Sequence, residues 1–178
     1  MNIYVINGAA ASGKDSFVHL CKKYVKPGRI LNISTVDKVK EIAANCGWDG
    51  TKSPANRKFL SDLKKLLTEW NDLPIKDIEH QIALFKREFE AWDIPLEEGI
   101  VFIHCREPEE ITRLVEKFNA QTILIRRPSA EKWEPSNPSD ANVLNYKYDY
   151  VFWNNGDTFK QLDLAAKRFI ELQPFDFS

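Results

Sequence analysis

The residues from Gly8 to Ser16 could bind the phosphate groups of a nucleotide. They follow the apolar run 3–6 and space two glycines and a lysine as Gly, four residues, Gly-Lys. Glycine adopts backbone angles that side chains forbid, so such a loop can turn several N–H groups towards one anion. Lys14 would add a positive charge, and the next helix would add its N-terminal dipole. The predicted phosphate-binding loop consists of Gly8, Ala9, Ala10, Ala11, Ser12, Gly13, Lys14, Asp15 and Ser16. The small residues are also compatible with a plain turn between a strand and a helix.

Asp15 is the unusual residue of this loop. Phosphate-binding loops normally carry Ser or Thr directly after the lysine, where the hydroxyl contacts Mg²⁺. Here the hydroxyl comes one residue later, at Ser16. We expect Asp15 and Ser16 to lie near the metal ion of bound ATP and Mg²⁺, with Asp37 as a further carboxylate nearby. As an alternative, Asp15 is an acidic residue that the helix dipole favours in a first turn.

Alternating apolar and amphipathic segments predict an α/β fold. Strands are predicted at 2–7, 29–34, 100–105, 122–125 and 150–153, and helices at 14–25, 37–46, from 53 to about 70, from about 75 to 92, from 108, and at 158–172. The strands alternate with helices and are nearly continuous apolar runs, as in a parallel sheet that helices cover on both faces.

The two long helices in the middle of the chain are predicted to bury apolar stripes. The first stripe consists of Phe59, Leu60, Leu63, Leu66, Leu67 and Trp70, and the second of Ile75, Ile78, Ile82, Phe85, Phe89 and Trp92. Spacings of three and four residues place such side chains on one helix face. Trp48 and Trp70 could instead stack on a nucleobase, although for Trp70 the core is the favoured interpretation.

Polar residues follow several predicted strands, at the edge where parallel sheets bind ligands. Besides the phosphate-binding loop, they are Ser34 to Asp37, His104 to Glu110, Arg126-Arg127 and Asn154-Asn155. Phosphoryl transfer needs positive charge around the transferred group and a held acceptor. The predicted catalytic cations are Lys14, Arg106, Arg126 and Arg127.

The segment from about 127 to 141 could act as a lid. It is rich in proline and polar residues and contains Lys132 and Trp133. A segment of this kind that starts at the active edge can exclude water when it closes. The arginines before it are also compatible with a solvated strand end, and Arg106 could simply pair with the glutamates that follow it.

Composition favours one domain, 1–178, with a small-molecule substrate. The 178 residues are 43% hydrophobic, which is enough for a sizeable core, and the net charge of −1 gives no reason to expect nucleic acid or a membrane as partner. The three cysteines and three histidines lack disulfide-framework or zinc-site spacing. Without a signal-like leader or a membrane-length apolar run, we expect a cytoplasmic protein, either a monomer or a homodimer.

Four pieces of the sequence resemble P-loop nucleotide kinases, especially the phage-type deoxynucleoside monophosphate kinases of the adenylate-kinase-like group. The pieces are Ser12-Gly13-Lys14-Asp15-Ser16, Cys105-Arg106-Glu107-Pro108-Glu109-Glu110, Arg126-Arg127 and the segment 149–156, Asp-Tyr-Val-Phe-Trp-Asn-Asn-Gly. The resemblance implies a three-layer kinase fold with a five-stranded parallel sheet and a lid. It also implies that Arg106 and Glu110 help form the substrate site and that Asn154 lies near the nucleotide base. His104 stands where this family has an aspartate.

The region of about 37–95 would then face the phosphate-binding loop and bind the acceptor. Its candidate residues are Asp37, Lys40 and Arg57, although these are also compatible with ordinary surface charges. The favoured hypothesis is ATP-dependent transfer of the γ-phosphoryl group to a (deoxy)nucleoside monophosphate. Animal-type phosphomevalonate kinases are similar at Gly-Lys-Asp, so another small metabolite is an alternative acceptor. A nucleotide-binding module with little catalysis is the alternative that His104 suggests.

Overall fold

The computed structural model describes residues 1–131, 142–155 and 160–173. Its strands are β1 (Asn2–Asn7), β2 (Ile30–Ser34), β3 (Ile100–His104), β4 (Gln121–Arg126) and β5 (Tyr150–Trp153). Its helices are α1 (Lys14–Cys21), α2 (Asp37–Asn45), α3 (Pro54–Asn71), α4 (Leu73–Ala91), α5 (Pro108–Phe118), α6 (Pro128–Glu131) and α7 (Lys160–Glu171). Short 3₁₀ turns lie at Lys22–Tyr24, Leu96–Glu98 and Val143–Asn145.

The five strands form one parallel sheet in the order β2-β3-β1-β4-β5. β1 is the central strand, so the glycine loop that follows it starts in the middle of the sheet. In the register, Ser34 of β2 lies beside His104 of β3, and His104 lies beside Ile6 of β1. The carboxyl ends of all five strands therefore meet at one edge, and the predicted α/β fold with a five-stranded parallel sheet is confirmed.

Helices cover both faces of this sheet because successive strand residues point to opposite sides. Tyr4 and Ile6 lie in one buried cluster with residues of α1 and α7. Val5, between them, lies in a second cluster with residues of α4 and α5. The protein thus has three layers, with two cores separated by the sheet.

Phe17 fixes α1, and with it the glycine loop, to the first of these cores. Its side chain is fully buried and its ring stacks on that of Phe152 with centroids 5.1 Å apart. Edge-to-face contacts join the same ring to Phe169 at 5.6 Å and to Phe102 at 6.4 Å. Such aromatic pairs favour a defined geometry in addition to burying apolar area.

The predicted stripe on α3 is largely wrong. Only Leu67 of this helix is buried, whereas Phe59, Leu66 and Trp70 are exposed. α3 contacts chiefly its helical neighbours α2 and α4, so one narrow face is enough to pack it. The remaining apolar side chains, including Leu60 and Leu63, are only half-buried at best.

The predicted stripe on α4 is confirmed except at its end. Ile75, Ile78, Ile82, Phe85 and Phe89 are buried against the sheet, as their spacing requires. Trp92 is 78% exposed because α4 ends at Ala91 and the chain turns away there.

Smaller differences concern element ends and the lid. α1 stops at Cys21 and continues as a 3₁₀ turn, where the sequence predicted one helix to residue 25. Of the predicted lid, residues 128–131 form α6, and residues 132–141 lie outside the described part of the chain. None of the helices in the described ranges is long and apolar enough to cross a bilayer.

The burial of α3 can be tested with two neighbouring leucines. Leu67→Ala removes a buried side chain, and we expect it to lower the free energy of unfolding by about 2–4 kcal/mol. Leu66→Ala, its matched control, removes a side chain that is 61% exposed, and surface positions of this kind cost less than about 1 kcal/mol. Urea denaturation measures both variants. Equal losses for the two would contradict the orientation of α3.

Candidate phosphate-binding site

The loop between β1 and α1 turns on two glycines that approach other chain segments closely. A Cβ atom at Gly13 would lie 2.7 Å from Asn154 Nδ2, and Gly13 has a left-handed φ of 99°. A Cβ atom at Gly8 would lie 2.6 Å from the carbonyl oxygen of Ile125 in β4. At Gly8 the close neighbour is backbone, and at Gly13 the left-handed φ would strain any side chain and the Asn154 amide would have to move, so glycine is favoured at both ends of the loop.

Asn154 holds the second half of the loop. Its side chain is buried, and its Nδ2 donates a hydrogen bond of 2.9 Å to the carbonyl oxygen of Ser12. Its backbone N–H donates to the carbonyl oxygen of Arg126 at 2.7 Å. The residue that the resemblance placed near the nucleotide base thus contacts the phosphate-binding loop itself.

Asn7 holds the first half of the loop and was missed by the sequence analysis. Its fully buried side chain accepts from the Gly8 N–H at 2.8 Å. Its Nδ2 donates to the Tyr148 hydroxyl at 2.8 Å and to the Arg106 carbonyl oxygen at 3.3 Å. A polar residue that ends an apolar strand directly before a glycine is the signal that could have found it.

The start of α1 fits a bound anion. Gly13 is the N-cap residue, and no side chain caps the first turn of α1. The Ser12 hydroxyl is buried, and no hydrogen-bond partner for its oxygen exists among the described residues. N–H groups at a helix N-terminus attract negative charge, so this loop can hold a phosphate group.

The two arginines after β4 have different environments. Arg126 forms two hydrogen bonds with the Glu131 carboxylate, at 3.0 and 2.5 Å, and its guanidinium carbon lies 4.5 Å from the Trp153 ring centroid. These hydrogen bonds lower the pKa of Glu131, which therefore stays ionised. Arg127 instead reaches the loop and donates to the Ala11 carbonyl oxygen at 3.4 Å. Arg127 is accordingly the better placed of the two to contact a bound phosphate.

His104 occupies the carboxyl end of β3 beside the first turn of α1. Its Nε2–H donates to Asn32 Oδ1 at 2.8 Å, which leaves Nδ1 facing Asp15 Oδ1 at 3.6 Å. Burial lowers the pKa of His104 to about 4, against the opposing charge of Asp15. Lys14 also lowers this pKa, so the imidazole is neutral at pH 7.

The donors available to a metal ion are sparse. The described residues contain no group of three or more histidine, cysteine, aspartate or glutamate side chains that could hold one. The Asp15 side chain is 84% exposed in the first turn of α1, and Ser16 follows it in the sequence. Mg²⁺ uses hard oxygen ligands and often shares them with a phosphate, so Asp15 and Ser16 fit this ion. A neutral imidazole such as that of His104 is a poor magnesium ligand.

The predicted acceptor residues are only partly brought together. Asp37 starts α2, accepts from the Ser34 N–H at 2.8 Å, and lies 4.0 Å from Lys40 Nζ. Both Asp37 and Lys40 affect the pKa of His104, so they belong to the same neighbourhood as the loop. Arg57, on α3, donates to the Lys52 carbonyl oxygen at 3.1 Å. This hydrogen bond holds the Arg57 side chain against the loop that precedes α3.

Arg106 and Glu110 follow β3 on the same edge. Arg106 directly follows Cys105, and its carbonyl oxygen is held by Asn7. Glu110 is buried in the first turn of α5, where Lys64, Thr35 and Cys105 donate to its carboxylate. Glu110 is therefore occupied by protein donors, which sequence reasoning did not anticipate.

The depressed pKa of His104 predicts how stability depends on pH. The unfolded chain, with the ordinary histidine pKa of 6.5, takes up the proton before the folded chain, whose value is about 4. Stability is therefore lost as the pH falls through this range, by about 2 kcal/mol between pH 7 and pH 5. Urea denaturation at both pH values should show this loss in the wild type and a correspondingly smaller one in His104→Gln. The same pH dependence in both proteins would contradict the prediction.

Comparison with protein-family models finds no match to this chain, and comparison with curated proteins finds none either. Among solved structures, the chain is similar to the crystal structure of shikimate kinase from Bacteroides thetaiotaomicron. The TM-score is 0.46 and the sequence identity 13%, over 98% of this chain and 99% of the other. At this level of similarity, the residues of the site itself must carry the functional argument.

Proposed function

We propose that this protein is an ATP-dependent phosphotransferase whose donor phosphates bind the loop from Gly8 to Ser16. The observation that carries the proposal is the left-handed Gly13 at the start of α1, which packs closely on the buried Asn154 amide. Gly13 places no side chain over the N-terminus of α1, where N–H groups attract an anion. Lys14, the first residue of α1, supplies the positive charge next to them.

The roles of the charged residues follow from their positions around the loop. Lys14 and the α1 N–H groups bind the donor phosphates, and Arg127 neutralises the charge that develops on the transferred group. Asp15 and Ser16 would hold Mg²⁺, which would supply further positive charge. Arg126, paired with Glu131 and stacked on Trp153, orients the start of the lid segment.

We propose a (deoxy)nucleoside monophosphate as the acceptor. The resemblance of the motifs around Lys14, Arg106 and Arg126 to nucleotide kinases supports this choice. Arg106 follows β3 on the same edge as the loop, where it can anchor the acceptor phosphate. Asp37 and Lys40 lie on α2, and their charges affect the pKa of His104 at that edge.

A nucleotide-binding module with little catalysis is the second candidate. The specific observation in its favour is His104, a neutral imidazole in the position where an acidic residue would favour a metal ion. Such a module binds ATP but forms no ADP with any acceptor. The assay below separates the two candidates.

The test of the proposed function is a coupled assay of ADP formation with ATP, Mg²⁺ and each common ribo- and deoxynucleoside monophosphate. We expect turnover with at least one acceptor. Lys14→Ala should lower kcat/KM at least about 100-fold, because it removes charge next to the transferred group. The control Lys23→Ala changes an exposed lysine that pairs with Asp163 at 3.4 Å, and it should leave kcat/KM within about twofold.

Two results would count against the proposal. No ADP above background with any of these acceptors would reject a nucleoside monophosphate kinase, and a product found instead with another metabolite would change the acceptor. Equal activity of Lys14→Ala and the wild type would reject the phosphate-binding role of the loop.

A further inference from the structure

Glu110 is the centre of a buried polar cluster at the carboxyl edge of the sheet. Its Oε2 accepts hydrogen bonds from Lys64 Nζ at 2.6 Å, from the Cys105 thiol at 3.0 Å and from the Thr35 hydroxyl at 3.1 Å. The Lys64 and Glu110 side chains are only 20% and 11% exposed. Lys64 Nζ also lies 3.1 Å from the Thr35 hydroxyl oxygen, so the four side chains form one connected group.

This cluster joins α3 to the edge that carries the candidate site. Thr35 follows β2 and donates its N–H to the His104 carbonyl oxygen at 3.3 Å. Cys105 follows β3 and donates its N–H to the Ile6 carbonyl oxygen at 3.3 Å, next to the start of the phosphate-binding loop. Lys64, in the middle of α3, is therefore the contact between this helix and two strand ends.

Packing on α2 and α4 buries little of α3. Leu67 is the one buried residue among its 18. The ion pair of Asp72 with Arg113, at its C-terminal end, is short at 2.6 Å, but the two side chains are 31% and 46% exposed. Solvent screens exposed pairs of this kind and leaves them little effect on stability. A helix with so little buried surface belongs to the more easily opened parts of a protein.

The buried pair of Lys64 and Glu110 determines position more than it adds stability. Removing two charges from water costs most of what their attraction returns. Breaking the pair, however, leaves one buried charge without a partner, which is strongly unfavourable. Any position of α3 that separates Lys64 from Glu110 is therefore unfavourable.

Arg57, one of the predicted acceptor residues, lies on the same helix as Lys64. It lies seven residues before Lys64, which places both side chains on the same face of α3 two turns apart. The contact of Lys64 with Glu110 therefore also sets the direction of the face that carries Arg57, whose Nε donates to the Lys52 carbonyl oxygen at 3.1 Å.

We propose that Lys64 and Glu110 are positioning residues that fix α3 against the ends of β2 and β3 and thereby shape the acceptor half of the cleft. That this half of the cleft binds the acceptor rests on the proposed function. Glu110 acts through Lys64 and the helix and does not itself touch the acceptor. In this proposal the pair has no role in the donor half, which the loop after β1 forms.

The kinetic test compares Lys64→Met with Lys65→Met, using ATP and the nucleoside monophosphate that gives the highest rate in the assay above. Lys64→Met should raise the KM for the acceptor at least about tenfold and leave the KM for ATP within about twofold. Lys65 is its matched control, because it is 77% exposed on the same helix and its replacement should change neither KM by more than about twofold. Lys64→Arg keeps the charge and should recover part of the acceptor affinity.

Hydrogen exchange of the protein without ligand provides the second readout. In Lys64→Met the amides of residues 54–71 should exchange at least about tenfold faster, while those of α1 and the strands keep their wild-type rates. Glu110→Gln, which keeps the size of the side chain and removes its charge, should accelerate the same amides. If Lys64→Met does not fold, Glu110→Gln and Lys64→Arg are compared with the wild type in the same way.

Each outcome decides the proposal. Unchanged exchange over residues 54–71 would overturn it, as would equal increases in the KM of ATP and acceptor. An acceptor KM that rises in Glu110→Gln but not in Lys64→Met would show that Glu110 contacts the acceptor directly, which also overturns it. If the wild type phosphorylates no acceptor, the proposed function fails, and the exchange experiment alone decides the role of the pair.

Discussion

The candidate site depends on the close contact between Gly13 and the Asn154 side chain. Asn154 follows β5, at the edge of the sheet, whereas Gly13 begins the helix after β1, at its centre. The hydrogen bond of 2.9 Å from Asn154 to the Ser12 carbonyl oxygen ties these two regions together. Because the contact leaves no room for a Cβ atom, it also fixes the backbone direction from which α1 starts. The orientation of its first N–H groups follows from this contact.

The parallel sheet brings the other charged groups to the same place. All five strands end at one edge, and the residues after β2, β3, β4 and β5 surround the loop after β1. Asn7 adds a second tie, because its side chain links the loop to the Arg106 backbone and to Tyr148. Burial at this edge lowers the pKa of His104 and keeps it neutral, and the Glu110 carboxylate accepts a hydrogen bond from Lys64. The same edge therefore contains the positive charges of Lys14 and Arg127 beside the loop and the charges of Arg126 and Glu110, which pair with Glu131 and Lys64.

Local patterns in the sequence predicted much of this arrangement. The spacing of Gly8, Gly13 and Lys14 located the loop, and the apolar runs located the strands, because both signals depend on neighbouring residues. The prediction of a buried stripe on α3 was wrong because periodicity identifies an apolar face but does not show how much of that face a neighbouring helix covers. The pairing of Lys64 with Glu110 joins residues 46 positions apart. It depends on how α3 and α5 meet, which no local pattern contains. Predicting the contact of Asn154 with the phosphate-binding loop would likewise have required the order of the strands, because the two segments are far apart in the sequence.

The most direct measurement is a calorimetric titration of ATP with Mg²⁺ into the wild type, Gly13→Ala and Gly28→Ala. Gly28 also has a positive φ, of 78°, but a Cβ atom there would meet nothing within 4 Å, so this variant carries the backbone strain without the clash. We expect the wild type and Gly28→Ala to bind ATP alike and Gly13→Ala, although folded, to bind it at least about 100-fold more weakly. Failure of the wild type to bind ATP, or equal binding by all three proteins, would contradict the account.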